Sequence, residues 1–170
     1  GWEIIDAQGQ YVGPGFVDIH CHSGDDVRFQ IDPIKAAKHH LRHGTTTILP
    51  TFSSATQETY RKVISFYNDY KSREDSIEGI PHLAGIHMEG PYFSLAQAGA
   101  QIPGIIRDPL REEYEEILAM TPHVLRWSVA CELDGALEMG EALEKWNLDL
   151  LNSVVPEIVT IIRRIDEKLK

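Results

Sequence analysis

The order of strand and helix signals predicts an α/β chain, a partial TIM-like (β/α) barrel of about four to five strand-helix units with a remnant of a small β-domain at its N-terminus. Apolar or β-branched runs recur at residues 16–22, 45–50, 82–89 and 124–131, and each is followed by a segment of helical spacing. The connections are too long for hairpins, so the strands are expected to be parallel with right-handed crossovers.

Residues 2–12 read as a short hairpin, Trp2 to Ile5 and Gln10 to Val12 around Asp6-Ala7-Gln8-Gly9. The run from Phe16 to His22 then carries Phe16, Val17 and Ile19 without the alternation of a half-wet strand, which predicts burial on both faces. Asp32-Pro33 forms a helix start with proline in the first turn, and Ile34, Ala37, Lys38 and Leu41 carry the helix to Gly44. Thr45 to Pro50 is β-branched and apolar, the second strand. Tyr60, Val63, Ile64 and Tyr67 define a helix from Thr56 to about Ser72. His82 to Glu89 is the third strand, entering a loop at Gly90-Pro91-Tyr92. Leu110 to Met120 is helical, Val124 to Cys131 is the fourth strand, and Leu133 to about Lys145 is a further helix.

At 170 residues, 42% hydrophobic and 25% charged, the chain can bury one core of ordinary size. No apolar stretch approaches the roughly 18 residues of a membrane span, and no signal peptide opens the chain. The 26 acidic residues against 16 basic give a net charge of -10, which disfavours nucleic acid or an anionic membrane as partner. Cys21 and Cys131 lie far apart in apolar runs, so reduced thiols in a cytoplasmic protein are expected.

Two imidazoles at i and i+2 share one face of a strand, so His20 and His22 present themselves together at the end of the first strand. In barrels of parallel strands the chemistry collects at the C-terminal strand ends, where Glu89 of the third strand also falls. Two nitrogens and a carboxylate suit a divalent ion such as Zn2+ or Fe2+ better than calcium or magnesium. The bland alternatives are a solvated histidine pair and a glutamate that serves only as an ion-pair partner. His87 shares the face of Glu89; support of a ligand is open to it, and a purely structural role is the commoner one. His39, His40 and His43 fall on the first helix and at its end, where solvated or helix-terminal roles are expected. Arg107 and Arg111 could meet a phosphate, although a surface charge beside a helix start is the ordinary reading.

Three segments carry a resemblance. Pro14-Gly15-Phe16-Val17-Asp18-Ile19-His20-Cys21-His22, His43-Gly44-Thr45-Thr46-Thr47-Ile48-Leu49-Pro50-Thr51 and Gly85-Ile86-His87-Met88-Glu89-Gly90-Pro91-Tyr92 together resemble the amidohydrolase superfamily, and within it the N-acetylglucosamine-6-phosphate deacetylases. Ala98-Gly99-Ala100-Gln101 and Ser128-Val129-Ala130-Cys131-Glu132-Leu133 are similar to the family's third loop and fourth strand. The resemblance covers about residues 4–145. It implies a metal-dependent hydrolase that removes the acetyl group from N-acetylglucosamine 6-phosphate, with Glu89 on the catalytic metal and His20 and His22 as the His-x-His ligands. It also implies that Ala100 and Gln101 contact the sugar. Deacetylation of a different amide by a neighbouring amidohydrolase remains open.

The chain departs from the family beyond the fourth strand. All eight histidines lie at or before His123, whereas the family's further histidine ligands and its general-base aspartate belong to later strands. No catalytic residue is therefore assigned, and the chain reads as a fragment that would be inactive alone, or as a non-catalytic oligomeric remnant. Its expected organisation is a β-domain remnant at residues 1–12, the first barrel half at 13–145 and a non-matching segment at 146–170. The last contains an amphipathic helix from Pro156, with apolar residues at Ile158, Ile161, Ile162, Ile165 and Leu169. It reads equally as a cap on the barrel or as a spliced or frame-shifted tail. Half a barrel leaves bare sheet edges, so a homo-oligomer or a complementing barrel half is expected as partner, beside a small-molecule amino-sugar phosphate.

Overall fold

The computed structural model describes residues 4–146, so the amphipathic helix expected from Pro156 lies outside the described residues. Seven strands form in chain order with three long helices between them: β1 (Phe16–Cys21), β2 (Ser23–Gly24), β3 (Val27–Arg28), α1 (Pro33–Arg42), β4 (Thr45–Ser53), α2 (Gln57–Ser72), β5 (His82–Leu83), β6 (Ile86–Glu89), α3 (Arg111–Met120) and β7 (Val124–Ser128). A last helix occupies residues 136–146. The main sheet is parallel in the order β1-β4-β6-β7, with β5 beside β4, and this sequential order is that of strand-helix units wound in one direction. It is open at β1 and β7 among the described residues, which form a mostly parallel α/β sheet and do not close a barrel.

The helices start where their caps direct. The Asp32 carboxylate accepts from the Lys35 amide at 3.0 Å ahead of Pro33, and the Thr56 hydroxyl accepts from Thr59 at 3.3 Å. Helix α2 buries Tyr60, Ile64, Tyr67 and Tyr70 at i, i+4, i+7 and i+10, and α3 buries Tyr114, Ile117 and Leu118. Apart from Tyr114, these side chains meet Ile48, Phe52, Ile86 and Met88 from one face of the sheet in a single core. A smaller cluster of Tyr92, Tyr114 and Met139 lies beneath Trp127.

Three expectations are corrected. Residues 4–12 form only a turn, and Ile4, Ile5, Tyr11 and Val12 are exposed, because an isolated two-stranded ribbon with no sheet to join is marginal in water. Phe16, Val17 and Ile19, expected to be buried on both faces, are 70%, 65% and 53% exposed. β1 pairs with β4 on one side only, and only Cys21 reaches the core. The third strand is split, since Ala84 donates to Ile48 of β4 while Ile86 donates to His123, the residue before β7. At the break a Cβ on Gly85 would lie 2.5 Å from Leu125 Cγ and 2.7 Å from the His123 carbonyl oxygen, so only glycine lets β7 come this close.

Ile64 is fully buried and its replacement by alanine leaves a cavity between α2 and the sheet; Ile64→Ala is expected to cost about 2–5 kcal/mol in urea unfolding. Lys62→Ala, which removes only an exposed pair with Glu58, leaves the midpoint unmoved. The two thiols also differ. Cys131 is exposed, whereas burial and then Asp18 push the Cys21 thiol up to about 12. A thiol reagent at pH 8 is expected to modify one cysteine of the folded chain rapidly, Cys131 by peptide mapping, and Cys21 only upon unfolding.

Candidate metal centre

Side chains of even and odd number along a strand face opposite ways, and the parallel register brings one set into rows. Thr51 of β4 stands opposite His87 of β6, which stands opposite Arg126 of β7. The next row is Ser53, Glu89 and Ser128. Ile48 and Phe52, of the other parity, fill the helix side with Met88. The polar rows therefore occupy the face away from the helices, and β1 delivers His20 and His22 to it.

There the histidines meet Glu89. His20 Nε2 lies 3.6 Å from Glu89 Oε1, and His22 Nε2 lies 3.3 Å from Glu89 Oε2. All three candidate ligand atoms fall within 4.8 Å of one another. Two atoms each about 2.05 Å from a tetrahedral ion are separated by about 3.3 Å, so the spacing and the N, N, O donor set both fit a zinc-like ion. The Glu89 carboxylate is half-buried, and Gln101 Nε2 donates to its Oε2 at 3.3 Å while Ser54 N donates to Gln101 Oε1 at 3.3 Å. Ser53 Oγ lies 3.2 Å from His22 Nδ1, which leaves Nε2 turned to the carboxylate.

His87 is fully buried behind this group. Its Nδ1 lies 3.2 Å from His20 Nδ1 and 3.3 Å from Thr51 Oγ1, and its Nε2 lies 2.9 Å from Ser128 Oγ. Burial, and behind it the charges of Arg126, His20 and His22, pushes His87 down to about 4, so it is neutral near pH 7. Hydrogen placement that serves these contacts puts protons on His20 Nδ1 and His87 Nε2. His87 then accepts from His20 and fixes the tautomer in which His20 Nε2 carries its lone pair toward Glu89.

A second grouping, Asp18, Cys21 and His40, also brings potential ligand atoms together. Its members are otherwise engaged: Cys21 Sγ donates to the Leu49 carbonyl at 3.6 Å, Asp18 Oδ1 accepts from the His20 amide at 3.0 Å, and His40 Nε2 donates to the Ser23 carbonyl at 3.0 Å. His40 is thus not a solvated residue, since it pins the β2–β3 hairpin to α1. His39 and His43 do sit at the helix end, with His43 Nδ1 2.8 Å from the His39 carbonyl oxygen.

Ala100 and Gln101 line a cleft together with His22, Ser53 and Glu89. Arg107 does not enter it: Nε donates to Glu113 Oε2 at 2.8 Å, and the guanidinium also holds the Ile105 carbonyl. Arg111 pairs with Glu115. Glycine is required just past Glu89, where Gly90 has φ +91° and a Cβ would lie 2.2 Å from Ser54 Oγ. Thr51, Ser53 and Ser128 were not singled out from the sequence, although their parity with the row of His87 and Glu89 was the available signal.

No family model matches the chain. It is 31% identical over 149 residues to N-acetylglucosamine-6-phosphate deacetylase of Caenorhabditis elegans, covering 79% of this chain and 34% of that protein. It is 27% identical over 157 residues to N-acetylgalactosamine-6-phosphate deacetylase of Escherichia coli O157:H7, covering 87% and 40%. Among solved structures it superposes on N-acetyl-D-glucosamine-6-phosphate deacetylase of Mycobacterium smegmatis with a TM-score of 0.66 at 32% identity, covering 78% of this chain and 37% of that one. A mutant of that enzyme in complex with N-acetyl-D-glucosamine-6-phosphate matches with a TM-score of 0.64. The chain spans about a third of the length of the curated relatives it matches. Over about four fifths of its own length, this chain is a homologue of the N-acetylglucosamine-6-phosphate deacetylases.

Proposed function

We propose that this chain supplies the metal-ligand strand ends of a deacetylase acting on an N-acetylated amino-sugar phosphate. The single observation that carries the reading is the approach of both imidazole Nε2 atoms to the two oxygens of one carboxylate, at 3.6 and 3.3 Å, on the face of the sheet away from the helices. Names of the relatives support the reaction class, and the M. smegmatis complex supports an amino-sugar phosphate as substrate. The galactosamine-6-phosphate relative keeps the sugar epimer open.

In this reading His20, His22 and Glu89 hold a divalent ion, Zn2+ or Fe2+, which supplies Lewis acidity toward an acetamide carbonyl. Glu89 is aimed by Gln101, and His20 is kept in its tautomer by His87. Gln101 and Ala100 border the space that the N-acetyl sugar would take. Water adds to the acyl carbon, the C–N bond breaks and the amine gains a proton, giving acetate and the amino-sugar phosphate. That proton transfer needs a general base, and no aspartate joins the three candidate ligands among the described residues. We assign it to protein outside residues 4–146. We likewise read residues 13–145 as the first half of a barrel whose bare edges are covered by a second copy or a complementing half, in a reducing cytoplasm. Exposed Phe16, Val17 and Ile19 on β1 and Leu125 on β7 support that cover, and among the described residues no helix is long and apolar enough to cross a membrane.

Titration of the metal-free chain with zinc, followed by calorimetry, is expected to give one site, lost in Glu89→Gln and in His22→Ala, with negligible acetate release from N-acetylglucosamine 6-phosphate. Zinc binding unchanged in both variants sinks the metal centre, and rapid acetate release by this chain alone sinks the assignment of the general base elsewhere. His87→Phe, which keeps a ring but removes the acceptor for His20, is expected to weaken zinc about 10–100-fold while the circular dichroism spectrum is kept.

A further inference from the structure

The C-terminal end of α1 carries a histidine pair that the candidate metal centre does not use. His39 and His43 stand four residues apart, so they are neighbours on one face of the helix. Their rings meet with centroids 4.4 Å apart and planes tilted by 35°. Gly44, next in the chain, immediately precedes β4, and its carbonyl takes the Phe16 amide at 2.9 Å as β1 begins. The pair therefore sits by the N-terminal ends of the strands, whereas His20, His22 and Glu89 meet at the C-terminal ends.

The hydrogen bonds of the helix end prepare these rings as ligands. His43 is held twice, its backbone amide donating to the His40 carbonyl at 3.1 Å and its ring Nδ1 to the His39 carbonyl at 2.8 Å. A carbonyl only accepts, so Nδ1 keeps the proton and Nε2 keeps its lone pair, the tautomer in which a neutral imidazole binds a metal. Among the described residues no hydrogen bond engages His43 Nε2 or either ring nitrogen of His39. His40 is committed to the Ser23 carbonyl and to the face of Phe29, and Lys38 and Arg42 each lie one position off the row. The dipole at a helix C-terminus favours a cation there, and a ring fixed in advance lowers the entropic cost of binding one.

An imidazole nitrogen about 2.1 Å from an ion puts its ring centroid about 3.2 Å away, so two such ligands at a right angle have centroids about 4.5 Å apart, against about 5.2 Å at the tetrahedral angle. The observed 4.4 Å matches the right angle. That angle belongs to square-planar or octahedral nickel and copper ions and disfavours tetrahedral zinc. We propose that His39 and His43 form a second metal site, a bidentate imidazole chelate for a divalent ion of the nickel or copper kind, with water in the remaining positions.

Calorimetric titration of the metal-free full chain with nickel chloride tests the site, and the histidine ring signals in NMR locate it. Two nickel sites are expected, one lost in His22→Ala and the other in H39Q and in H43N, with the ring signals of His39 and His43 broadened by the ion. The second imidazole closes a chelate, so loss of either is expected to weaken nickel at this site about 100-fold. Ring signals of the pair left sharp overturn the proposal. So does a loss under about tenfold in either variant, which marks binding by a single imidazole. Should H43N unwind the helix end, H39Q decides, because it leaves the carbonyl that holds His43 in place. If His22→Ala leaves nickel binding untouched while H39Q removes a site, the helix pair stands and the reading of His20, His22 and Glu89 fails.

Discussion

The parallel register of β4, β6 and β7 brings Thr51, His87 and Arg126 into one row and Ser53, Glu89 and Ser128 into the next. A slip of one residue would exchange these rows for Phe52, Met88 and Trp127, turning the polar set into the helix side and the apolar set into the cleft. Register is therefore held by the core: Phe52 and Met88 are buried under α2 and α3 only while Ser53 and Glu89 face away. Burial of a few hundred Å² of apolar surface, at roughly 25 cal/mol per Å², fixes the side from which every candidate ligand projects.

Much of this was legible in the chain itself. The β-branched run at Thr45-Thr46-Thr47-Ile48 and the helical spacing of Tyr60, Ile64 and Tyr67 each record one burial pattern, and strand and helix formed where those patterns lie. The pairing of His20 and His22 with Glu89 was legible because i, i+2 parity and strand ends are local properties. What could not be read was set by tertiary neighbours. The exposure of Phe16 and Val17 depends on whether a strand flanks β1, which the run of apolar residues does not encode. The hairpin around Asp25 and Asp26 needs two positive φ values at residues other than glycine, which aspartate permits without announcing. The contact of His87 with His20 spans 67 positions and joins side chains of two strands that both flank β4.

Electrostatics at the centre follows from that same contact across β4. His87, packed between Thr51 and Ser128 with Arg126 nearby, is held neutral and can only accept from or donate to its neighbours without adding charge. A neutral acceptor behind His20 holds its proton on Nδ1 and leaves the nitrogen on the far side of that ring free to face an ion. A protonated residue at the same place would oppose an incoming cation. The buried histidine thus orients His20 as Gln101 orients Glu89 from the other side, where its amide donates to the Glu89 carboxylate.

The two halves of the candidate centre belong to parts of the fold with different support. Glu89 lies on β6, which is paired on both sides and backed by the core, whereas His20 and His22 lie at the end of β1, paired on one side and largely exposed. That strand end is held by the Thr51 hydroxyl, which accepts from the Cys21 amide at 3.1 Å, by the Phe29 amide on the His22 carbonyl, and by the contacts of the two imidazoles with Ser53 and His87. An ion bridging the histidines to Glu89 would add a cross-link between an edge and the centre of the sheet. Its binding energy would be shared between coordination and the ordering of β1. Anything that covers the bare face of Phe16, Val17 and Ile19 would remove part of that ordering cost in advance, so cover of the edge and affinity at the centre are coupled through one strand.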